Sequence, residues 1–401
     1  MTEYSEPEAS GQVIATLRKA AGWTQRQLAD RAHVSLSLLQ KVEVGDRPAS
    51  HALLAATARA LRVSVERLSG QPYTDTRHDE RVHRDVEALR TVLRCYDLPD
   101  EVPPRTLDEL AVDVTTLTRL RASASYSKLA ARLPALLTEL IAAAHHGEPG
   151  DLARANALLL AACHAAHTLT YRLGYPDLAE SIEHKIAYAA ERTGDPLAGG
   201  LAQWARAQSF QGAGDFAHGL RLMDAARAEL EDQLRKPTSG ALTVCGSLHL
   251  RSVTLASRAG DADLAGEHLA AARELAGRMR TGDQVHYGLT FGPANTTSHE
   301  VAAHVELGDG AAAIAAAGHW QPSRQMPRTR RGHHHIDLAR ARLIHGDRDG
   351  ALAELQHARR IAPQQTRFHP MVRETTAVLV SLHRRSNPDL ASYAGWLGLA
   401  S

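Results

Sequence analysis

Hydrogen-bonding side chains recur at helical spacing in residues 35–47. Ser37, Gln40 and Lys41 fall at i, i+3 and i+4, so they share one face of a helix. Hydroxyl, amide and ammonium groups in this arrangement suit hydrogen bonds with base edges and phosphates. Residues 11–70 also hold nine Lys or Arg against four acids, whereas the whole chain carries a net charge of only +1. This local basic excess predicts contact with DNA.

Two short helices joined by a tight turn are predicted to position these side chains. Thr24 is a good N-cap for a helix that opens at Gln25, and the small Ala29 leaves room for another helix to cross closely. Residues 32–34 form the turn, and Ser35 caps the second helix. The inner face of that helix holds Leu39 and Val42, and its outer face holds Leu36, Ser37, Gln40 and Lys41.

These residues resemble the helix-turn-helix of the Cro/repressor-type (XRE) family, from about Val13 to about Leu68. Five helices fit, the first over Val13–Ala21, the fourth after its cap Ser50 and the fifth after Ser64. The resemblance implies a set of DNA contacts: Gln25 on a phosphate, Ser37, Gln40 and Lys41 on base edges, Leu36 on a thymine methyl, Arg47 on the backbone, and the cap Ser35 beside them.

Two positions depart from the pattern of that family. His33 stands where the turn usually has glycine, and Leu36 and Leu38 are apolar where polar residues are common. The alternative interpretation is a five-helix bundle that makes no contact with DNA.

The rest of the chain divides into a helical linker and a larger helical domain. We assign residues 11–70 to the DNA-binding domain, 71–126 to the linker and 127–401 to the helical domain. In the linker, the four apolar residues Val82, Val86, Leu89 and Leu93 form one stripe. A second helical segment, 107–122, follows a break with three prolines, and the two helices are expected to form an antiparallel pair. This pair is either a packing spacer or a dimerisation hairpin.

Helix pairs with a glycine at the turn recur from residue 127 onward. The glycines are Gly174, Gly214, Gly260, Gly308 and Gly346, at intervals of 38 to 48 residues, and small residues follow each at the fifth position. The array resembles tetratricopeptide repeats, although its intervals exceed that family's 34 residues. The predicted fold is therefore all-α, a five-helix domain followed by a solenoid of antiparallel helix pairs, with a non-repeating α-bundle as the alternative.

A solenoid of this kind presents a concave surface lined by the first helix of each pair. Residues 286–299 interrupt the helical periodicity just before such a helix, and interrupted scaffolds often carry function. The candidate effector-binding residues are polar and share helix faces or follow the last repeat: Asn295, His299, Glu306, Arg331, His335, Arg342, Arg367, His369 and Arg373. Asn, His and Arg suit a peptide backbone or carboxylate. The alternative is that these residues are exposed or paired for structural reasons.

Other chemistries find little support. The contiguous His333–His335 point about 100° apart on a helix and cannot chelate one ion, and the three distant cysteines form no zinc motif. Phosphate-binding and hydrolase motifs do not occur. We therefore expect no metal, no cofactor and no enzymatic activity. The apolar runs are too short for a membrane span and there is no signal peptide, which predicts a cytoplasmic protein.

Two functions fit these patterns. The first is a homodimeric, DNA-binding transcriptional regulator that reads a palindromic operator in double-stranded DNA and whose repeat domain senses a peptide or small molecule. The resemblance to peptide-sensing, repeat-containing XRE regulators implies such an effector. The second is a DNA-binding regulator or scaffold whose repeat domain binds a protein partner and no small ligand.

Overall fold

The computed structural model describes residues 10–73, 77–99, 105–382 and 387–399. Within these ranges nearly all regular structure is α-helix, which confirms the predicted all-α class with a short-helix N-terminal unit and a long repeat-like array. No helix of the described ranges is long and apolar enough to cross a membrane.

Five helices build the N-terminal unit. They are α1 (Ser10–Ala20), α2 (Gln25–Ala32), α3 (Leu36–Val44), α4 (His51–Leu61) and α5 (Val65–Ser69). The side-chain hydroxyls of four residues accept hydrogen bonds from backbone N–H groups three positions later and so fix the starts of α2 to α5: Thr24, Ser35, Ser50 and Ser64. The first helix begins at Ser10, three residues before the predicted Val13.

The middle of the chain forms thirteen consecutive helices in the described residues. They are α6 (Arg77–Arg94), α7 (Leu107–Ala122), α8 (Tyr126–His146), α9 (Leu152–Leu173), α10 (Pro176–Arg192), α11 (Pro196–Ala213), α12 (Phe216–Glu229), α13 (Ser239–Ala259), α14 (Ala262–Gly277), α15 (Pro293–Glu306), α16 (Gly310–Ala317), α17 (Arg328–His345) and α18 (Arg348–Ile361). All five turn glycines singled out in the sequence have positive φ, between 72° and 91°. Each joins the two helices of a pair, since glycine adopts this left-handed conformation without a Cβ clash.

The predicted antiparallel pair of linker helices does not form. The stripe from Val82 to Leu93 is buried, but α6 packs mainly on α8, and α7 packs on α8 and α9. These apolar faces share one continuous core with the array, so α6 and α7 pack on the larger domain. The proline-rich break falls largely on residues 100–104, outside the described residues.

A β-hairpin interrupts the array between α14 and α15, which the all-α prediction missed. Strands β1 (Gln284–His286) and β2 (Leu289–Phe291) pair antiparallel across Tyr287 and Gly288, which both have positive φ. Two such residues make the two-residue turn that matches strand twist. The ring of Phe291 lies against α13, where a Cβ at position 246 would come within 2.2 Å of it, so only glycine fits there.

Three further helices follow the array: α19 (Pro363–Arg367), α20 (Pro370–Leu382) and α21 (Pro388–Leu397). They bring the end of the described chain back to its start. Met371 on α20 belongs to the hydrophobic core of the N-terminal unit, together with Ile14, Leu28 and Leu39. The N-terminal unit is therefore docked against the C-terminal helices.

Candidate DNA-binding face and central cavity

The outer face of α3 presents the polar residues that the sequence assigns to DNA. Ser37, Gln40 and Lys41 are exposed on it. Leu36 differs from the expectation, because its side chain is half-buried against the N-terminal core. Its position three residues before the buried Leu39 explains this, since residues at i and i+3 lie on adjoining faces of a helix.

A buried ion pair holds α3 in place behind this face. The guanidinium of Arg18 on α1 donates to both carboxylate oxygens of Glu43, at 2.7 and 2.8 Å, and to the carbonyl oxygen of Trp23 at 2.8 Å. This bidentate geometry is the strong form of such a pair. The hydrogen bonds to Glu43 raise the pKa of Arg18 despite burial.

Gln25 extends the same network to the exposed face. Its amide NH₂ donates to Glu43 at 2.8 Å, and its amide oxygen accepts from the NH₂ of Gln40 at 3.4 Å. The residue therefore orients Gln40 in this structure, and it retains a second amide N–H.

The other residues of the predicted DNA surface have simpler surroundings. Ser35 is exposed, and its hydroxyl accepts from the N–H of Leu38 at 3.2 Å. Arg47 is exposed in the loop that follows α3. His33 adopts the left-handed conformation that the turn demands, with φ 54° and ψ 43°. The missing glycine is thus tolerated, as expected more readily for histidine than for most residues.

Two acidic residues of the larger domain bind the N-terminal unit. The carboxylate of Glu374 on α20 accepts from the backbone N–H of Ala49 at 2.8 Å and of Ser10 at 3.3 Å. Glu306 on α15 lies 3.1 Å from Nδ1 of His51 on α4. Both carboxylates are at most 5% exposed. The loop before α4 and the start of α1 are therefore fixed by side chains from the far end of the chain.

A cavity of about 260 Å³ lies between these two parts of the molecule. The first helix of each glycine-joined pair contributes to it, namely α9, α11, α13, α15 and α17. Residues of α4 and α5, of α7, of the hairpin and of α20 complete the wall. The concave surface expected of the array is thus present, but the N-terminal unit covers it.

Helix α15 carries three of the predicted effector residues into this wall. Asn295, His299 and Glu306 all line the cavity. The amide NH₂ of Asn295 donates to the carbonyl of Thr290 at 2.6 Å, while its amide oxygen has no partner among the described residues. Burial lowers the pKa of His299 to about 3, so its imidazole is neutral at physiological pH.

Glu306 is the centre of a buried ion-pair cluster. Its carboxylate contacts Arg340 at 3.0 Å and Arg258 at 3.4 Å in addition to His51. Burial alone would raise the pKa of Glu306, but Arg340 and Arg258 hold it well below its ordinary range. The carboxylate is therefore a fixed negative charge that joins α13, α15, α17 and α4.

On α17 the predicted effector residues lie away from the cavity. Arg331, His335 and Arg342 do not line the cavity. The cavity side of α17 holds Arg330, His333, His334, Asp337 and Arg340. Arg331 and His335 are each one residue away from a lining residue, and one residue on a helix is a rotation of about 100°. Sequence periodicity finds both stripes and cannot decide which one faces inward.

The residues off the cavity on α17 form ion pairs with α18. Nδ1 of His335 lies 2.7 Å from Glu354, and Nε of Arg342 lies 3.5 Å from the same carboxylate. His335, Glu354 and His357 place three potential metal-ligand atoms within 4.8 Å of one another. This is the one such set among the described residues. Because His335 and Arg342 both lie beside the carboxylate of Glu354, we interpret the set as an ion-pair cluster.

Only one of three candidates after the last repeat reaches the cavity. His369 lines it, and burial together with nearby arginines keeps its pKa well below the ordinary value. Arg367 and Arg373 instead donate to backbone carbonyls at the end of α21, on Trp396 and Leu397 respectively. These contacts satisfy the free carbonyls of a helix C-terminus, so both arginines have a structural role.

Sequence reasoning missed several residues of the cavity wall. Arg121, Arg172, Arg251 and Trp204 line it and lie on α7, α9, α13 and α11. A signal was present in the sequence, because Trp204, Gln208 and Gln211 recur at helical spacing, as do Ser247, Arg251, Thr254 and Arg258. Polar stripes on otherwise apolar first helices mark the surfaces that face the cavity.

Known proteins resemble this chain most clearly at its N-terminus. Residues 11–69 match a family model described as a helix-turn-helix domain. The competence pilus inhibition repressor of Acinetobacter baylyi is 41% identical over 58 residues, which are 14% of this chain and 53% of the repressor. The chain thus spans about half the length of this curated relative.

Two solved structures share a more distant likeness. BtubC from P. vanneervenii is 17% identical, covering 68% of this chain and 96% of BtubC, with a TM-score of 0.37. PlcR of Bacillus thuringiensis, solved with the peptide PapR7 and DNA, is 16% identical, covering 67% and 94% of the two chains, with a TM-score of 0.28. The family match and the geometry of α1 to α5 identify residues 11–69 as a helix-turn-helix DNA-binding domain.

Proposed function

We propose that the protein is a transcriptional regulator that binds operator DNA through α3 and responds to an effector, a small molecule or a short peptide, in the central cavity. One observation carries the proposal. The cavity wall includes His51 and Leu54 of the DNA-binding unit as well as the first helices of the array. A ligand there would contact both parts at once.

The route from cavity to DNA is short in this structure. His51 begins α4, and its contact with Glu306 forms part of the cavity wall. The loop of residues 45–50 joins α4 to the end of α3. A ligand that displaces Glu306 or the segment around Met371 would move α4 and, through this loop, α3. A difference of a few kcal/mol between two docked arrangements suffices to change operator occupancy.

We further propose that the protein binds DNA as a homodimer. A single recognition helix buries little surface, and two half-sites one or a few helical turns apart supply the missing specificity. In such a dimer the effector would change the distance between the two copies of α3. The repressor relative with 41% identity in this domain supports DNA binding as the output.

The DNA-binding part is tested by alanine variants on α2 and α3. After selection of an operator from random duplexes, Lys41→Ala is expected to weaken binding by about 1–3 kcal/mol and to alter base preference. Gln25→Ala removes the proposed phosphate contact and the hydrogen bond that orients Gln40, so it is expected to weaken binding and to change base preference less than Lys41→Ala does. Fluorescence anisotropy of labelled operator measures both changes.

Lys236→Ala provides the matched control, because Lys236 is exposed and lies on the array, outside the DNA-binding unit. Its operator affinity should equal that of the wild type. Equal affinity of all three variants would contradict the proposed docking of α3. Operator affinity that does not respond to any low-molecular-weight extract or peptide would contradict the sensing part.

A further inference from the structure

We infer that the central cavity binds a small organic anion with at least two negative charges, held by Arg121, Arg172, Arg251 and Arg330. Dicarboxylates and phosphate monoesters are the chemical class. The inference rests on the proposed effector sensing for its biological meaning. Its physical evidence is the set of charges in the cavity wall.

The wall has more cations than anions. Six arginines face the cavity, against the three acids Glu66, Glu306 and Asp337. Two of the arginines, Arg258 and Arg340, are already paired with Glu306, and Arg340 also contacts Asp337 at 3.3 Å. Glu66 belongs to α5 in the DNA-binding unit. No ion pair with a carboxylate is found among the described residues for Arg121, Arg172, Arg251 or Arg330.

The contacts of these four arginines leave donors unused. Arg121 donates to the carbonyl of Gly288 at 2.7 Å, and Arg251 donates to the amide oxygen of Gln211 at 2.9 Å. Nε of Arg251 is buried and has no partner in the described part of the chain. For Arg172 and Arg330, no side-chain hydrogen bond occurs within the described ranges. Each guanidinium has five N–H donors, so most remain available to a ligand.

These guanidinium groups are close enough to repel one another. Burial is the largest cause that lowers the pKa of Arg251 to about 9, and Arg330, Arg258 and Arg172 act in the same direction. Burial likewise lowers the pKa of Arg330 to about 10, with Arg172 and Arg121 acting in the same direction. Asp283 offsets part of this effect at Arg330, but no carboxylate pairs with the four arginines in the described residues. A group of largely desolvated, unpaired cations is costly, and a bound anion would reduce that cost.

The histidines of the cavity wall add no positive charge to that of the arginines. Burial is the largest cause that lowers the pKa values of His299, His333, His334 and His369, so these side chains are neutral at pH 7. They can accept or donate single hydrogen bonds to a ligand. The positive potential of the cavity therefore comes from the arginines, whose planar forks match carboxylate and phosphate oxygens.

The size and apolar surface of the cavity limit the ligand further. A volume of about 260 Å³ is near the lower end of the range for ligand pockets, which favours a metabolite over an extended peptide. The indole of Trp204 lies 4.0 Å beneath the guanidinium of Arg251, and Tyr171 also lines the wall. An anion with a compact carbon framework would use both the forks and these rings.

The test measures thermal unfolding of the full chain with citrate or inorganic phosphate, against sodium chloride at equal ionic strength and pH 7.5. For the wild type, we expect citrate to raise the Tm by about 2–4 °C over chloride. Arg330→Gln and Arg251→Gln should lose most of this increase. Arg280→Gln, at an exposed position outside the cavity, should retain all of it.

A second readout separates ligand binding from simple structural damage. In chloride alone, Arg330→Gln should have a Tm equal to or above that of the wild type, because the substitution removes an uncompensated charge. A lower Tm in chloride together with an undiminished response to citrate would overturn the inference. Equal Tm values of the wild type in citrate, phosphate and chloride would overturn it as well.

Operator binding distinguishes this inference from the proposed function. An arginine-dependent increase in Tm with unchanged operator affinity would support the anion site and contradict effector sensing. An uncharged compound that changes operator affinity, with no response of Tm to either anion, would support sensing and overturn the anion site.

Discussion

At the scale of single residues, the molecule places neutral histidines where a charge would be costly. His334 on α17 is 1% exposed, and its ring lies edge-on to Trp320 with centroids 5.0 Å apart. Neither ring nitrogen has a hydrogen-bond partner in the described part of the chain. Burial, aided by the neighbouring His335, lowers the pKa of His334 to about 4.

This environment predicts a loss of stability in acid. Between pH 6.5 and 4 the unfolded chain binds a proton at His334 that the folded chain does not, so stability falls as the pH falls through this window. At pH 4.5 this protonation lowers the free energy of unfolding by about 2–3 kcal/mol relative to neutral pH. His334→Phe should keep the stability seen at pH 7.5 and lose less of it at pH 5, as measured by urea unfolding.

His319→Phe is the control, since His319 is exposed. This variant should follow the wild-type dependence on pH. If His334→Phe does the same, the imidazole of His334 is protonated without penalty in the folded protein, contrary to the expectation. The half-buried His51, with a pKa lowered to about 4, adds a further loss of stability in the same window.

At the scale of elements, glycines have opposite energetic roles in the array. Gly346 joins α17 to α18 with φ 91°, and a Cβ there would meet nothing within 4 Å. Gly266 lies inside α14, is exposed, and also has open space around it. Backbone conformation is therefore the main difference between the two positions.

Replacing glycine with alanine at these two positions is expected to change the free energy of unfolding in opposite directions. Gly346→Ala should lower the free energy of unfolding by about 1 kcal/mol, because a left-handed conformation strains any residue with a Cβ. Gly266→Ala should raise it by up to about 1 kcal/mol, because alanine favours a helix interior. Chemical denaturation of both variants measures the two changes in the free energy of unfolding. A stabilising effect of Gly346→Ala would contradict the need for glycine at this turn.

Local features of the helices and turns could be predicted from the sequence, whereas features that depend on distant parts of the chain could not. Caps such as Thr24 and Ser35 act on backbone groups three residues away, so their effect is local and readable. The turn glycines are readable for the same reason. The hairpin at residues 284–291 was missed because Tyr287 and Gly288 are not a typical turn pair and Phe291 depends on a glycine in α13. The inward face of α17 depends on distant helices in the same way.

For the candidate site, the sequence identified some polar residues that line the cavity, but it did not identify the groups that each polar side chain binds. Asn295, His299 and His369 do line the cavity, and each lies in a segment that is rich in polar residues. Arg367 and Arg373 lie away from the cavity and donate to carbonyls of α21, which lies after them in the chain. A polar side chain cannot reveal from sequence alone whether its partner is a ligand or a backbone group.

At the scale of the whole molecule, Glu374 links the two ends of the chain. It is 5% exposed and accepts hydrogen bonds from the backbone of Ala49 and Ser10. Burial raises its pKa, and these two N–H groups oppose that effect. Hydrogen bonds to a charged acceptor contribute about 1.5–3 kcal/mol each, so this one side chain accounts for much of the docking.

Glu374→Ala is therefore expected to loosen the DNA-binding unit without unfolding the array. Amide hydrogen exchange should become about tenfold faster or more at Ser10 and Ala49, since 1.4 kcal/mol corresponds to a factor of ten. Exchange in α9 and α13 should stay at the wild-type rate. Glu274→Ala, at an exposed position on α14, is the control and should leave all rates unchanged. Unaltered protection at Ala49 in Glu374→Ala would show that Met371 and its neighbours suffice for docking.

The sequence distance spanned by Glu374 also has a consequence for biosynthesis. Its contact with Ser10 joins residues 364 positions apart. Ribosomes add roughly 5–20 residues per second, so the DNA-binding unit emerges on the order of tens of seconds before the helix that restrains it. During that interval the array is still being completed, and the DNA-binding unit lacks the restraint that Glu374 and Met371 provide. Any control that the cavity exerts over the operator therefore begins only after translation has passed α20.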